Sequence, residues 1–457
     1  MKVKPNLRNQ PRPTLYFFRV VGLIGLIAFS LSSSASAADQ KDRPVIPASN
    51  TLTLESAIAQ ALQNNPGLHA MQAMKKAKAS IPSQRGALPD PELSLTAANL
   101  PTDTFDRQQE PMTQYKVGVS QRIPFPGKLG LKEDSANFNA QSAVQEVEEF
   151  VHGLKTMVTG SWWELFYLDR SLEVIKRNQA LLRQFVEIAK TKYQVGQGLQ
   201  QDALLAQVEL SKLLDLEIQL HRLRDKETAM LNGFLNRAPL TAIHLSAQTD
   251  TQLPLLLPET TLYGLAEENR PLLESLRNRV KAANSRLELA HKDYYPNFMF
   301  GVEYGKRYGE NANGTDRSDL ASVKVGISVP IFAASKQSEA VKQRQFELEM
   351  NQSTFENQRV QMRTQISTLV SEYRNTVDQA QLFSQGIVPQ AQQAVDSMKA
   401  AYRVNKVDFL NLVRMQMTLQ NYETQYWRVF TRAEQTLSKL ETLVGIQGIY
   451  VTNTKQP

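Results

Sequence analysis

The sequence predicts a mainly α-helical chain with a transmembrane β part, in which one unit, a strand hairpin followed by a long helical hairpin, occurs twice. Three observations carry the prediction. Landmarks of the first half return in the same order in the second half. Four short runs alternate apolar and polar residues with a period of two. Long stretches hold apolar residues at three- and four-residue steps, the seam spacing of coiled coils.

Taken in chain order, the first segment is not part of the repeated unit. Lys2, Lys4, Arg8, Arg12 and Arg19 precede an apolar run from Val20 to Leu31, which leads into Ser34-Ala35-Ser36-Ala37-Ala38. A basic head, a short apolar stretch and small residues before the cut describe a secretory signal peptide, residues 1–37, removed after Ala37. The run is shorter than the 18 or so residues that a spanning helix needs, so an uncleaved anchor is the weaker reading. Without this segment the formal net charge of +7 falls to about +2. No nucleic-acid partner is therefore expected. The chain has no cysteine, so neither a disulfide framework nor a lipid anchor on cysteine is available.

The first repeat is expected at residues 38–239 and the second at 262–446. Lys116, Gly118 and Ser120 fall on Lys324, Gly326 and Ser328 at one constant offset. Leu52 to Pro66 reads as a helix ending at Asn65-Pro66, and Leu262 to Pro271 echoes it with Asn269-Arg270-Pro271. Tyr193-Gln194-Val195-Gly196 matches Tyr402-Arg403-Val404-Asn405 at an offset longer by one residue. The segment 240–261, with Pro254 and Pro258, is the expected linker, and 447–457 a tail.

Strands are expected at about 91–99, 114–123, 296–306 and 320–331. Tyr115, Val117, Val119, Gln121 and Ile123 alternate with Lys116, Gly118, Ser120 and Arg122, and Ala321, Val323, Val325, Ile327, Val329 and Ile331 are set against Ser322, Lys324, Gly326 and Ser328. Leu93, Leu95 and Ala97, and Phe298, Phe300, Val302 and Tyr304, form the apolar phases of the partner strands. Runs of 9–11 residues suit tilted transmembrane strands. A half-buried sheet in a soluble domain has the same periodicity, and the count separates the two only conditionally. Four strands cannot close a barrel, and open edges cannot sit in lipid. If these strands do sit in lipid, chains must associate, and three chains give twelve strands, an even number in the usual range. Pro101 to Thr113 and Lys306 to Asp319 are the expected external loops.

The long helices are expected at about 129–236 and 336–444. A helix from Leu129 to Lys192 alone would extend on the order of 95 Å. On the return limb, Leu213, Leu216, Leu220, Leu223, Met230 and Phe234 form a seam that Glu227 interrupts; Tyr422, Tyr426, Val429, Ala433, Leu437, Leu440 and Val444 form its counterpart. Gly386 and Pro389 are expected to break or restart the second long helix, with no counterpart in the first copy. Gly196 and Asn405 suit tight helix reversals, because both residue types tolerate left-handed backbone.

These residues resemble the TolC-type outer-membrane efflux protein family from Leu52 to about Gly445. The resemblance rests on the duplicated plan, on Ser120-Gln121-Arg122-Ile123-Pro124-Phe125-Pro126-Gly127-Lys128 after a strand, and on the two Tyr-x-Val-(Gly/Asn) turns. Pro89-Asp90-Pro91-Glu92-Leu93-Ser94 and Ile123 to Lys128 look most like the heavy-metal (cation) efflux branch. The resemblance implies a homotrimer in the outer membrane: one 12-stranded β-barrel continuous with a periplasmic α-helical barrel. It implies a periplasmic adaptor and an inner-membrane pump, RND type favoured, as partners, and metal cations among the cargo. It also implies a periplasmic gate, with Asp202, Tyr402, Lys406 and Asp408 as candidates, and adaptor contacts at Val195, Gly196, Gln197, Val404 and Asn405. Val407 stands where a tip arginine is expected, which leaves the aromatic–basic–acidic latch incomplete. For Asp202 a helix N-cap or a solvated turn residue is an equal reading.

Residues for catalysis or cofactor binding are not found. His69, His152, His221, His244 and His291 are scattered without ligand spacing. Gly127-Lys128 lacks the rest of a phosphate loop, and no nucleophile elbow or zinc-protease motif occurs. The expectation is a passive exit duct that is not an enzyme and holds neither cofactor nor metal. The alternative is a periplasmic coiled-coil adaptor or structural protein, which should show a β-rich segment interrupting one helical hairpin.

Overall fold

The computed structural model describes residues 51–246, 251–404 and 406–451. The expected signal peptide and Asn405 lie outside them. Both helical entries break at a proline. Helices α1 (Leu54–Asn64) and α2 (Pro66–Ala79) meet at Asn65, whose side chain accepts from the Leu68 N–H at 3.1 Å, an N-cap. A short α3 (Ile81–Gly86) follows, leading to strand β1 (Glu92–Ala98) and, after a loop, β2 (Gln114–Ile123). Then come α4 (Lys128–Gln194), 67 residues without interruption, and its return limb α5 (Gln200–Phe234).

The second copy repeats this order with α6 (Glu259–Asn269), α7 (Pro271–Lys292), β3 (Phe298–Arg307) and β4 (Leu320–Ile327). Helix α8 (Gln337–Gln381), a π-helical turn (Leu382–Ile387) and α9 (Val388–Arg403) run on from one another; α10 (Phe409–Val444) returns. Strand β4 stops at Ile327, short of the expected 331. Pro330 has no N–H for a ladder, and the chain coils directly afterwards, with Lys336 N–H donating to Phe332 O at 2.9 Å.

The four strands form one antiparallel sheet in the order β1-β2-β3-β4. Its register puts the apolar phases of all four strands on one face. Leu95 lies opposite Val117, Val117 opposite Tyr304, and Tyr304 opposite Ala321; Leu93, Val119, Val302 and Val323 make the next row. This face is exposed: Leu95 keeps 77% and Val323 78% of its surface. The opposite face is mostly small, polar or charged, with Met299 and Leu320 as apolar exceptions, and there Glu303 pairs with both Lys116 and Lys324. Among the described residues, the outer edges of β1 and β4 have no partner strand.

The junction between strand and helix explains the Pro-Phe-Pro-Gly-Lys motif. Gly127 caps α4 with φ of +88°, a left-handed conformation that favours glycine. That turn sends Lys128 inward, where its ammonium donates to Tyr295 O and Asn297 Oδ1 at 3.0 Å each and pairs with Asp293 at 3.2 Å. Three N–H donors meet three oxygens, which makes burial of this charge tolerable. Phe125 stacks on Tyr295, ring centroids 4.6 Å apart. The motif therefore ties the start of the first long helix to the second copy.

The long helices are held by heptad packing and by a few buried polar pairs. Leu213 and Leu220 of the first seam are buried, as are Ala433, Leu437, Leu440 and Val444 of the second; Met230 is exposed. Between α4 and α10, Gln416 donates to Asn178 at 2.6 Å, both side chains buried. A buried polar pair of this kind fixes helix register, because any slip would strand two polar groups in an apolar seam; the Gln416 Oε1 has no hydrogen-bond partner among the described residues.

The expected break at Gly386 and Pro389 is not a break. The helix continues through a π turn, and the reason lies in the register of the two copies. Leu154, Val158, Trp162, Leu165, Leu168 and Leu172 are buried in α4, and Met362, Ile366, Val370, Tyr373, Thr376 and Ala380 are buried in α8 at one constant offset. Beyond the π turn, Leu182 and Val186 match Ala391 and Val395 at an offset one residue longer. The second copy has one extra residue, and the wider turn absorbs it without rotating the buried stripe. The same turn accommodates Pro389, which cannot donate within an α-helix.

Candidate functional site: the tip where both helix reversals meet

Two tight turns reverse the long helices at one end of the molecule, the first of them a Schellman turn. In the first, Gly196 adopts φ of +71°, its N–H donates to Tyr193 O at 3.0 Å, and the Gln197 N–H donates to Lys192 O at 2.8 Å. In the second, the Lys406 N–H donates to Ala401 O at 2.9 Å, the same long bond. Val195 and Val404 are the C-caps of α4 and α9, and both are exposed, as are Gly196 and Gln197. Tyr193 and Leu199 are exposed beside them. Asn405 lies outside the described residues.

The gate candidates divide into buried and exposed members. Tyr402 is buried at the end of α9, its ring centroid 5.2 Å from that of the buried Phe409, which in turn meets Phe185 of α4 edge-on. Asp202 is half-buried in the first turn of α5, three residues past the N-cap position at Leu199, so it is not the N-cap. Asp408 occupies the N-cap position of α10 and is exposed, and its side chain makes no capping bond. Lys406 is exposed.

Electrostatics bring Asp202, Tyr402 and Asp408 into one group. Burial raises the Asp202 carboxyl above its ordinary range, and the Asp408 charge raises it further; hydrogen bonding to the Leu199 backbone and the Lys192 charge act the other way. Tyr402 is pushed up to about 12, by burial first and then by Asp202 and Asp408. The cluster also contains a residue not foreseen from the sequence. Lys192 of α4 donates to the Tyr402 backbone oxygen at 2.9 Å, and its Nζ lies 4.2 Å from the Tyr402 ring centroid. Among the described residues no three His, Cys, Asp or Glu side chains could hold a metal ion together.

A second feature lies on the side of the hairpin. Leu204, Val208 and Ile218 are exposed on α5 and share one face with Ser211 and Asp215, at alternating four- and three-residue steps. An open groove of about 720 Å³ runs along Leu204, Gln207, Val208, Ser211, Lys212 and Asp215. This has the spacing of a coiled-coil seam, and it is exposed among the described residues.

Comparison with known proteins follows the same division into two copies. Residues 57–237 and 262–446 match the family described as outer membrane efflux protein. Outer membrane protein TolC of Vibrio cholerae is 23% identical over 300 residues, 63% of this chain and 66% of that protein. Cobalt-zinc-cadmium resistance protein CzcC of Cupriavidus metallidurans is 22% identical over 412 residues, 88% of this chain and 92% of that one. The crystal structure of CusC, described with transmembrane channel formation, superposes with a TM-score of 0.73 at 13% identity, covering 86% of this chain and 92% of that chain.

Proposed function

The chain belongs to the outer membrane efflux protein family, and from that premise we propose that it is the outer-membrane exit duct of a tripartite efflux system. It conducts substrates passively from an inner-membrane pump to the exterior, with a periplasmic adaptor between them and an RND-type pump favoured. The observation that supports this reading is the sheet: four strands, one mainly apolar and exposed face, a mainly polar or small opposite face, and two outer edges without a partner strand among the described residues. Such a sheet is unsuited to water on its apolar side and unsuited to lipid with its edges open. Association of three chains, β4 of one on β1 of the next, would remove both defects and give a 12-stranded barrel with a polar lumen. The exposed α5 seam supports the same association below the membrane.

The helical hairpins then form a periplasmic tunnel, with Asp202, Tyr402, Lys406 and Asp408 as its gate, and with the exposed Val195, Gly196, Gln197 and Val404, together with Asn405, as adaptor contacts. Metal cations are the proposed cargo, on the likeness to CzcC and the strand motifs. The adaptor reading is not favoured: among the described residues no β-rich segment interrupts either helical hairpin. Fractionation tests the duct. High salt should leave the protein in the outer-membrane fraction, and detergent should release it; release by salt alone rejects a lipid-embedded barrel. Loss of the gene should sensitise cells to cobalt, zinc or cadmium, whereas sensitivity only to dyes and antibiotics rejects the metal cargo.

A further inference from the structure

At the tip, a basic side chain of the first copy reaches the end of a helix of the second. Lys192 lies in the last turn of α4, and its ammonium reaches the last turn of α9. There it makes two contacts with one residue, bonding the Tyr402 carbonyl oxygen at 2.9 Å and facing the Tyr402 ring at 4.2 Å. The carbonyls of a last helical turn lack partners within the helix and form the negative end of its dipole, so an ammonium there is favoured. Contact with the ring adds a cation–π attraction. Asp202 of α5 lies close enough to feel the lysine charge.

The position of α9 gives this contact its consequence. Apart from its end, α9 packs on α10, through Ala391 and Val395 against Leu419. Only Tyr402 and Met398 of α9 belong to the cluster that includes α4 and α5 residues such as Phe185, Ala189, Ala203 and Ala206. At its other end α9 is joined to α8 by the π turn, the type of irregularity at which long helices bend. Lys192 therefore adds a polar contact from α4 to the end of a helix that otherwise packs mainly on α10.

We propose that Lys192 is the basic member of the tip clasp, holding the second hairpin to the first from α4 in place of the basic residue absent at Val407. This rests on the duct reading and adds to it the residue that keeps the resting duct narrow. Lys192 acts through Tyr402 and is a positioning residue; it does not bind cargo.

Single-channel recording of the purified full-length protein in planar bilayers tests the proposal. Lys192→Met keeps the stem and removes the charge, and Lys192→Gln is the second such variant; both should raise conductance several-fold. Lys192→Arg should stay near the parent value, because a guanidinium can also bond the carbonyl and face the ring. Lys190→Met is the control, since Lys190 pairs only with Glu187 on its own helix, and it should leave conductance unchanged. Parent-like conductance in both neutral variants overturns the clasp, and so does a control that opens the channel equally. Those results would leave the duct standing. A folded parent protein that never conducts, with neutral variants that also never conduct, overturns the duct reading itself.

Discussion

At the residue scale, the tip shows which side chains a sequence can place beside one another. Tyr402 and Asp202 were legible because each sits at a fixed distance from a turn whose Tyr-x-Val signature can be read directly. Lys192 was not, because its partner is 210 residues away along the chain and nothing local distinguishes it from neighbouring surface lysines. Lys128 was visible only as part of a motif; its burial becomes intelligible once Tyr295 and Asn297 are brought beside it. The Asp202 environment yields a pH prediction. Its raised carboxyl pKa means that the folded protein holds this proton more tightly than the unfolded chain does. The group therefore contributes stability below the unfolded value, and that contribution is lost as pH rises through the folded value. As pH falls, Asp202 loses its charge before an ordinary carboxyl does, and its repulsion with Asp408 disappears. Conductance should therefore step down in that window, just above the usual carboxylate range. Asp202→Asn should start at the lower conductance and lack the step, and a step of unchanged size in that variant would exclude Asp202 as its source.

At the element scale, strand phases and heptad seams were readable because a period of two and steps of three and four follow from backbone geometry. The π turn was readable only in fragments. The sequence carries an offset one residue longer at the tip, and it carries Gly386 and Pro389, but periodicity alone does not say that one wide turn accounts for both. The buried stripes of α4 and α8–α9 supply the missing link, matching at one offset before Leu382 and at the next beyond Ile387. Deleting Ser384 should restore uniform α-helix while leaving every buried position in phase. The variant should fold and be extracted as the same oligomer, with thermal stability close to the parent's. Deleting Glu173 from α4 is the comparison. It would turn the residues on one side of the deletion by about 100° relative to the other, driving polar positions into the seam, and should abolish assembly. Equal tolerance of both deletions, seen by gel filtration in detergent and by circular dichroism, would refute this account of the π turn.

At the scale of the whole molecule, the chain has the form of a part. Among the described residues, its sheet shows apolar surface on one face and bare edges on both sides, and α5 displays an exposed seam; one chain satisfies neither. The duplication explains how one repeated unit supplies four strands and two helical hairpins, and the departures from symmetry, Gly196 against Asn405 and the π turn before Pro389, fall in the helical part. The central claim is a passive, water-filled path through an assembly of these chains, and conductance across a lipid bilayer without any energy source tests it most directly. The purified oligomer should give discrete current steps under applied voltage alone, small in the parent protein and larger when the tip is loosened by Lys192→Met. A folded, membrane-inserted oligomer that passes no current in either form would contradict the account.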